Sequence, residues 1–176
     1  MSKIYCVIAL LDDSSKQKLH ELRDKLAIPE SKENELPHIT ISVYDKDINL
    51  DELIEWTKEV VEKQNRFKVL YKSVGIKLGS CLVAMPSFTP QLFTLYYNHH
   101  QKFDDCCRYY NALKNGEYAP HTGLWYPDRE TALEYIGKLG EIFEPFETEI
   151  TTIRITEVDY DLSGYDFINI AEFELK

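Results

Sequence analysis

Two short segments combine the side chains that acid–base chemistry on a phosphate group requires. The first, PHITISVY, spans residues 37–44. Its alternation predicts a strand whose core face carries Ile39, Ile41 and Val43. The opposite face then carries an imidazole and three hydroxyl groups, those of His38, Thr40, Ser42 and Tyr44. A solvent-facing strand more often carries Lys, Glu or Gln there, so this row is a candidate site.

A second Pro-His pair opens the segment YAPHTGLWY, residues 118–126. Its His121 follows His38 by 83 positions, about half of the 176-residue chain. Two such strands at this spacing predict two similar halves, each delivering one histidine to a shared cleft. In a regular strand Trp125 lies on the same face as His121, where it either stacks on a base or belongs to the core.

Two imidazoles that face one bound group form an acid–base pair. The ordinary histidine pKa, near 6.5, lets either ring accept or donate a proton at neutral pH, and each role is worth roughly 10²–10⁴-fold in rate. A hydroxyl two residues along the same strand face could donate to a phosphoryl oxygen. This chemistry needs no metal and no cofactor.

The histidines and cysteines elsewhere in the chain do not suggest a metal site. His99 and His100 precede Cys106 and Cys107 by seven residues, which is two helical turns. Adjacent pairs cannot all face one way on a helix, so we interpret these residues as structural.

Composition limits the classes of partner. The chain has 30 acidic and 20 basic side chains, for a net charge of −10, which argues against binding a long nucleic acid. A small phosphate ligand held by a few local donors remains compatible with this charge. Hydrophobic residues make up 44% of the chain, which is enough for a folded core, and the length predicts a single domain over residues 1–176.

Cysteine usage and the N-terminal residues predict the compartment. The four cysteines form no C-x-x-C pair, which favours reduced thiols in the cytosol. The apolar run near the N-terminus ends at Asp12 after about eight residues, and no small-residue cleavage site follows it, which argues against a signal peptide. The run is also far shorter than the roughly 20 residues of a membrane span. We therefore expect a cytoplasmic protein, a monomer without membrane contact.

Hydrophobic periodicity predicts mixed strands and helices, and therefore an α+β fold with antiparallel strands. The predicted strands cover residues 4–11, 37–44, 66–77, 81–88, 118–126, 147–158 and 167–175. The predicted helices begin at Asp13 or Ser14, at Asn49 or Asp51, at Thr89 and at Asp128. The third helix is expected to run to about Tyr110. A polar loop is expected at 31–36 and a turn at Ser163-Gly164.

The segment Pro37–Ile41 resembles the His-x-Thr/Ser motif of the two-histidine (2H) phosphoesterase superfamily, which includes the LigT-like 2′-5′ RNA ligases and cyclic nucleotide phosphodiesterases. The segment Pro120–Leu124 resembles the second motif, and the resemblance covers essentially the whole chain. It implies a bilobal α+β fold of two pseudo-symmetric halves, with antiparallel sheets lining a central cleft and helices outside. It also implies that His38 and His121 act as general base and general acid, and that Thr40 binds the phosphate.

The second motif departs from the family pattern at Gly123, where Thr or Ser is expected. Thr122 points to the opposite face in a regular strand. Either a bulge at Gly123 turns Thr122 into the cleft to bind phosphate, or the second hydroxyl is missing. In the second case Ser42, Tyr44 or a backbone N–H would substitute for it.

Three functions follow from these residues. The first is a metal-independent phosphodiesterase that hydrolyses a small cyclic or 2′-5′/3′-5′ nucleotide phosphodiester. The second is a non-catalytic nucleotide-binding module on the same fold, motivated by Gly123. The third, RNA 2′-5′ ligation or end processing, fits the acidic chain less well. Positive charge near a phosphate could come from one of the basic strand residues Lys72, Lys77 and Arg154, although exposed strand positions account for them more simply.

Overall fold

The structure, a computed structural model, describes residues 3–29, 36–161 and 164–176. Residues 31–35 of the expected polar loop and Ser163 of the expected turn lie outside the described residues. The strands are β1 (Ile4–Leu11), β2 (His38–Tyr44), β3 (Phe67–Lys77), β4 (Cys81–Pro86), β5 (Thr122–Trp125), β6 (Phe146–Asp161) and β7 (Gly164–Glu174). The helices are α1 (Asp13–Lys25), α2 (Leu50–Val61), α3 (Pro90–His99) and α4 (Arg129–Ile142).

The described strands form one antiparallel sheet in the order β2-β1-β6-β3-β4-β5, and β7 pairs with β6. The long strand β6 serves both halves. Its first part, Phe146–Ile150, pairs with β3, and its later part pairs with β1 on one edge and β7 on the other. The result is two groups of four strands that share β6, β2-β1-β6-β7 and β6-β3-β4-β5, with β2 at one edge and β5 at another. This arrangement confirms the bilobal α+β fold and places each histidine motif at one end of the sheet.

The two faces of the sheet have different coverings. Alternate residues of β1, such as Val7 and Ala9, belong to the main core, which also contains leucines from all four helices, among them Leu19, Leu53, Leu92 and Leu139. The residues between them belong to a smaller apolar cluster on the other face, with Val43 and Val158. The helices therefore cover one face, and burial of β1 on both faces explains its continuous apolar run. Among the described residues no helix is long and apolar enough to cross a bilayer.

Each helix begins at a side chain that accepts a hydrogen bond from a backbone N–H three residues later. These N-caps are Asp12, Asn49, Thr89 and Asp128. The cap of α1 is one residue earlier than the sequence predicts. The Asp12 carboxylate also accepts the Glu149 N–H and the Thr148 hydroxyl, so it fixes α1 to β6. Burial alone would raise the pKa of Asp12, but these hydrogen bonds hold it below its usual value.

The prediction that α3 continues to Tyr110 is wrong, because the helix ends at His99. Phe103 has left-handed backbone dihedrals, with φ 84°, which turns the chain back towards β2. Cys107 then forms an isolated bridge with Tyr44, and the Arg108 N–H donates to the Val43 carbonyl. Pairing with β2 overrides the helical sequence pattern of the chain after His99. This part of the chain forms one wall of the cleft.

His99 joins β2 to α2 from within the core. Its Nδ1 lies 3.2 Å from the Tyr44 hydroxyl, and its Nε2 lies 3.1 Å from the Thr57 hydroxyl. Burial lowers the pKa of His99 to about 3, with a further contribution from the neighbouring His100. The folded protein therefore holds this imidazole neutral through the mildly acidic range in which the unfolded chain would protonate it.

This depressed pKa predicts a loss of stability in mild acid. Below pH 6.5 the unfolded chain binds a proton at His99 and the folded protein does not. For this group the free energy of unfolding therefore decreases by about 1.4 kcal/mol for each pH unit by which the pH is lowered. We expect His99→Gln to remove that part of the slope in urea unfolding measured between pH 6 and 5. At pH 7.5 the variant reports the cost of the substitution alone. Parallel slopes for the two proteins would contradict the assignment.

Candidate active site

His38 and His121 line the same cavity, on the face of the sheet opposite the main core. Their rings influence one another electrostatically, because a charge on His38 contributes to lowering the pKa of His121. Thr40, Lys77, Arg108 and Tyr126 line the cavity with them. The two motifs, half a chain apart in sequence, thus meet at one site.

The ring of His38 is oriented by a backbone carbonyl and an aromatic edge. Its Nδ1 lies 2.7 Å from the Leu36 carbonyl oxygen, and its ring packs edge-on to Phe167 with centroids 4.9 Å apart. Burial lowers the pKa of His38, so the ring is neutral at pH 7. A neutral ring has one proton, and the carbonyl acceptor assigns it to Nδ1. Nε2 is then the nitrogen that can accept a proton.

His121 has a different set of neighbours. Its Nδ1 lies 3.0 Å from Lys77 Nζ and 2.9 Å from the Ala119 carbonyl oxygen, and Nζ lies 3.1 Å from that same oxygen. A charged Lys77 can donate to both acceptors at once, whereas a proton on Nδ1 would face the ammonium protons. The ammonium therefore favours a proton on Nε2. Burial, followed by the charge of Lys77, lowers the pKa of His121 to about 4.

Thr122 borders the cavity beside Gly123, but its hydroxyl is used within the protein and is not offered to a phosphate. Its hydroxyl is buried, donates to the His38 backbone carbonyl at 2.8 Å, and therefore accepts from the Tyr71 hydroxyl. The expectation that Thr122 binds phosphate is thus corrected, because regular alternation keeps it on the core face of β5. Its hydroxyl instead bonds the two histidine strands to each other.

A bulge in β2 explains why two further candidates miss the cavity. Val7 pairs with Ser42 and Ile8 pairs with Thr40, so Ile41 is an extra residue that reverses the alternation. Ser42 and Tyr44 consequently face the core, where both contact His99. Their expected role in substrate binding is wrong. Val43, expected in the core, belongs to the apolar cluster of the cleft and lines the cavity.

The same irregularity recurs in β5. Val83 pairs with Gly123 and Leu82 pairs with Trp125, so Leu124 is the extra residue. Trp125 therefore turns away from the cavity and packs edge-on against Tyr135 of α4, with ring centroids 5.0 Å apart. Its expected stacking role is corrected. In both strands the extra residue is the third after the histidine, which makes the two motifs alike in backbone as well as in sequence.

The charged residues that line the cavity are basic, whereas the chain as a whole is acidic. None of its described lining residues is Asp or Glu, and two are cationic, Lys77 and Arg108. Arg108 donates to the Asp45 carboxylate at 3.2 Å and to the Tyr110 hydroxyl at 3.2 Å. Such a lining favours an anionic ligand in a protein whose net charge is −10.

Of the three basic residues that the sequence singles out, only one reaches the cavity. Lys77 lines it, whereas Lys72 is exposed and Arg154 pairs with Glu172 at 2.7 Å. Sequence reasoning missed Arg108 and Tyr126 entirely. The sequence contains no signal for either, because Arg108 lies in a segment with a helical pattern and Tyr126 follows a bulge.

One group of side chains could hold a metal ion, among the residues that the structure describes. The donor atoms of His100, Asp104 and Cys107 lie within 4.8 Å of one another. Both His100 nitrogens already have partners, the Asp104 carboxylate at 2.7 Å and the Ile41 carbonyl at 3.1 Å. Burial strongly raises the pKa of the Cys107 thiol, which disfavours the thiolate that a metal needs. We therefore assign the group to support of the β2 bulge at Ile41.

Solved structures identify the fold. No protein-family model matches the sequence, and no curated protein matches it. A crystal structure described as a phosphoesterase superposes with a TM-score of 0.74 at 11% identity, covering 99% of both chains. Escherichia coli LigT complexed with NADP⁺ gives 0.70 at 11%, covering 98% of both chains. The protein TT0787 of Thermus thermophilus gives 0.71 at 11%, covering 99% of this chain and 98% of that one.

The chain has the two-histidine phosphoesterase fold. The similarity extends over essentially the whole length of each protein, as the resemblance of the two motifs implies. At 11% identity these structures establish architecture, and the site chemistry has to be argued from the residues of this chain.

Removing the charge of Lys77 tests its influence on His121. We expect Lys77→Met to raise the pKa of His121 from about 4, although burial of the ring should keep it below 6.5. The measurement is the pH dependence of the imidazole carbon-proton signals by NMR. Lys72→Met, on the same strand but exposed, is the matched control and should leave this pKa unchanged. An unchanged pKa in Lys77→Met would show that the ammonium does not act on the ring.

Proposed function

We propose that this protein is a phosphodiesterase that hydrolyses a small cyclic or 2′-5′/3′-5′ nucleotide phosphodiester by His/His acid–base catalysis, without a metal or cofactor. The supporting observation is that His38 and His121 line one cavity, that a neighbouring group contacts Nδ1 of each ring, and that none of the described lining residues is Asp or Glu. E. coli LigT has been crystallised with 3′-AMP, ATP, NADP⁺ and phosphate, which supports a nucleotide ligand on this fold.

The hydrogen bonds suggest which histidine has which role. His38 holds its proton at Nδ1, so its Nε2 takes the proton of a water that attacks phosphorus. His121 gives its Nε2 proton to the leaving oxygen. A neutral imidazole that loses one proton must gain another, and the Lys77 ammonium lies against Nδ1 to supply it. After the step His38 is charged and Lys77 is neutral, and proton exchange through water restores both.

The rest of the cavity would bind the nucleotide. Thr40, two residues from His38 and partly exposed, presents a hydroxyl to a non-bridging phosphoryl oxygen. Lys77 and Arg108 offset the charge of the phosphate. Phe167 and the apolar cluster around Val43 provide a surface for the sugar and base. We expect one cytoplasmic domain over residues 1–176, acting as a monomer.

A non-catalytic nucleotide-binding module is the second candidate. It is favoured by the direction of the Thr122 hydroxyl, which is used within the core and leaves the second motif without a side-chain donor of its own. In that case the protein would bind nucleotides tightly and release them unchanged. Turnover by the unmodified protein would exclude this function.

Thr40 and Ser42 provide a matched pair of hydroxyl deletions on one strand. We expect Thr40→Ala to lower kcat/KM by about 10-fold or more, because a hydrogen bond to an ionised oxygen is lost at the site. Ser42→Ala should leave kcat/KM near the wild-type value, since its hydroxyl faces the buried His99. A larger loss of kcat/KM in Ser42→Ala than in Thr40→Ala would contradict the assignment of Thr40 to the cavity face and Ser42 to the core face of β2.

The decisive experiment is hydrolysis of a panel of 2′,3′-cyclic, 3′,5′-cyclic and linear 2′-5′ nucleotides in EDTA, followed by mass spectrometry. His38→Ala and His121→Ala should each reduce turnover at least about 10²-fold, because each removes one proton-transfer partner. His20→Ala, outside the cavity lining, is the control. Turnover that persists in either cavity variant would refute the two-histidine mechanism.

A further inference from the structure

Gly123 occupies the position in β5 that corresponds to Thr40 in β2. Each lies two residues after its histidine and one residue before the extra residue of its bulge. Thr40 and Gly123 both line the cavity. Thr122 and Leu124, on either side of Gly123, are buried, and the Thr122 hydroxyl is bonded within the protein. The first half of the site therefore offers a hydroxyl where the second half offers none from its own strand.

The space beside Gly123 is filled by the phenol of Tyr126. A Cβ built on Gly123 would lie 2.5 Å from the Tyr126 hydroxyl oxygen and 3.1 Å from the ring carbon that bears it. The three atoms nearest to that Cβ all belong to Tyr126. The phenol oxygen thus stands beside the Cβ position from which a Ser or Thr hydroxyl at position 123 would project. The ring itself lines the same cavity as both histidines.

We propose that the Tyr126 hydroxyl replaces the hydroxyl that position 123 lacks, and that it donates to a non-bridging oxygen of the bound phosphate from the side opposite Thr40. The inference rests on the proposed function, because it concerns the same phosphate. It also explains why position 123 is glycine: any side chain there would displace the phenol. Thr40 and Tyr126 then donate hydrogen bonds to the two non-bridging phosphoryl oxygens. The two histidines exchange protons with the entering and the leaving oxygen.

The chemistry of a phenol suits this role. Its O–H donates a hydrogen bond to an anionic oxygen, and it adds no charge to the site. Tyr126 is 45% exposed, so water and ligand can reach it.

The test measures binding of inorganic phosphate by titration calorimetry and turnover of the best nucleotide of the panel. We expect Tyr126→Phe to weaken phosphate binding and to lower kcat/KM, each by about 10-fold. Tyr97→Phe makes the same change at a residue that is 43% exposed on α3 and does not line the cavity, and it should leave both quantities unchanged.

A second pair of variants, Gly123→Ser and Gly123→Ala, tests whether a hydroxyl at position 123 can substitute for the phenol. In the Tyr126→Ala background the space beside position 123 is open, so Gly123→Ser can add a hydroxyl from the strand and Gly123→Ala adds only a methyl group. We expect the Ser variant to recover most of the phosphate affinity lost in Tyr126→Ala and the Ala variant to recover none. Equal behaviour of these two variants would overturn the proposal, as would wild-type phosphate binding by Tyr126→Phe.

The outcomes separate this inference from the proposed function. If the unmodified protein binds phosphate and hydrolyses a nucleotide but Tyr126→Phe does the same, only the role of Tyr126 fails. If the unmodified protein binds phosphate without turnover, a loss in Tyr126→Phe still supports the phenol as a ligand and the catalytic proposal fails. If the unmodified protein does neither, both proposals are overturned.

Discussion

Thr122 donates its hydroxyl proton to the backbone carbonyl of His38, and this hydrogen bond ties together the two strands that carry the histidines. Strands β2 and β5 are at opposite ends of the sheet order, so no ladder pairs them directly. The bond is partly buried, and Tyr71 completes it by donating to the Thr122 hydroxyl in a buried contact. A hydrogen bond of this kind contributes about 0.5–1.5 kcal/mol. The distance between the two catalytic candidates depends on this tie.

The two bulges determine which side chains enter the cleft. In each histidine strand one extra residue, Ile41 or Leu124, follows the motif and reverses the alternation beyond it. His38, Thr40, His121 and Gly123 line the cavity, and Ser42 and Trp125 beyond the bulges turn away from it. His100 supports the first bulge by bonding the Ile41 carbonyl, and Asp104 holds the other side of that imidazole. This buried network gives His100 and Asp104 a structural role, although their side chains could also be mistaken for metal ligands.

Electrostatics divide the molecule into an acidic exterior and a cavity without described carboxylates. Burial lowers the pKa of both His38 and His121, which favours neutral rings at pH 7 and is compatible with the proposed acid–base pair. Lys77 contributes twice, since it places positive charge in the cavity and favours a proton on Nε2 of His121. The Leu36 carbonyl has the corresponding role for His38. The two rings thus differ in their neighbours, although their motifs are alike.

The sequence alone determined the α+β class, the two-halved organisation, most strand positions and the pairing of His38 with His121, because periodicity and repeated motifs are local signals. Only the tertiary structure decided which neighbours of those histidines face the cavity. Ser42, Tyr44 and Trp125 were assigned by regular alternation, and a bulge depends on pairing with another strand that the segment's own residues do not reveal. Arg108 and Tyr126 enter the site for the same reason. Their positions follow from where β2 pairs with the chain after α3 and from the space that Gly123 leaves, and both are long-range contacts.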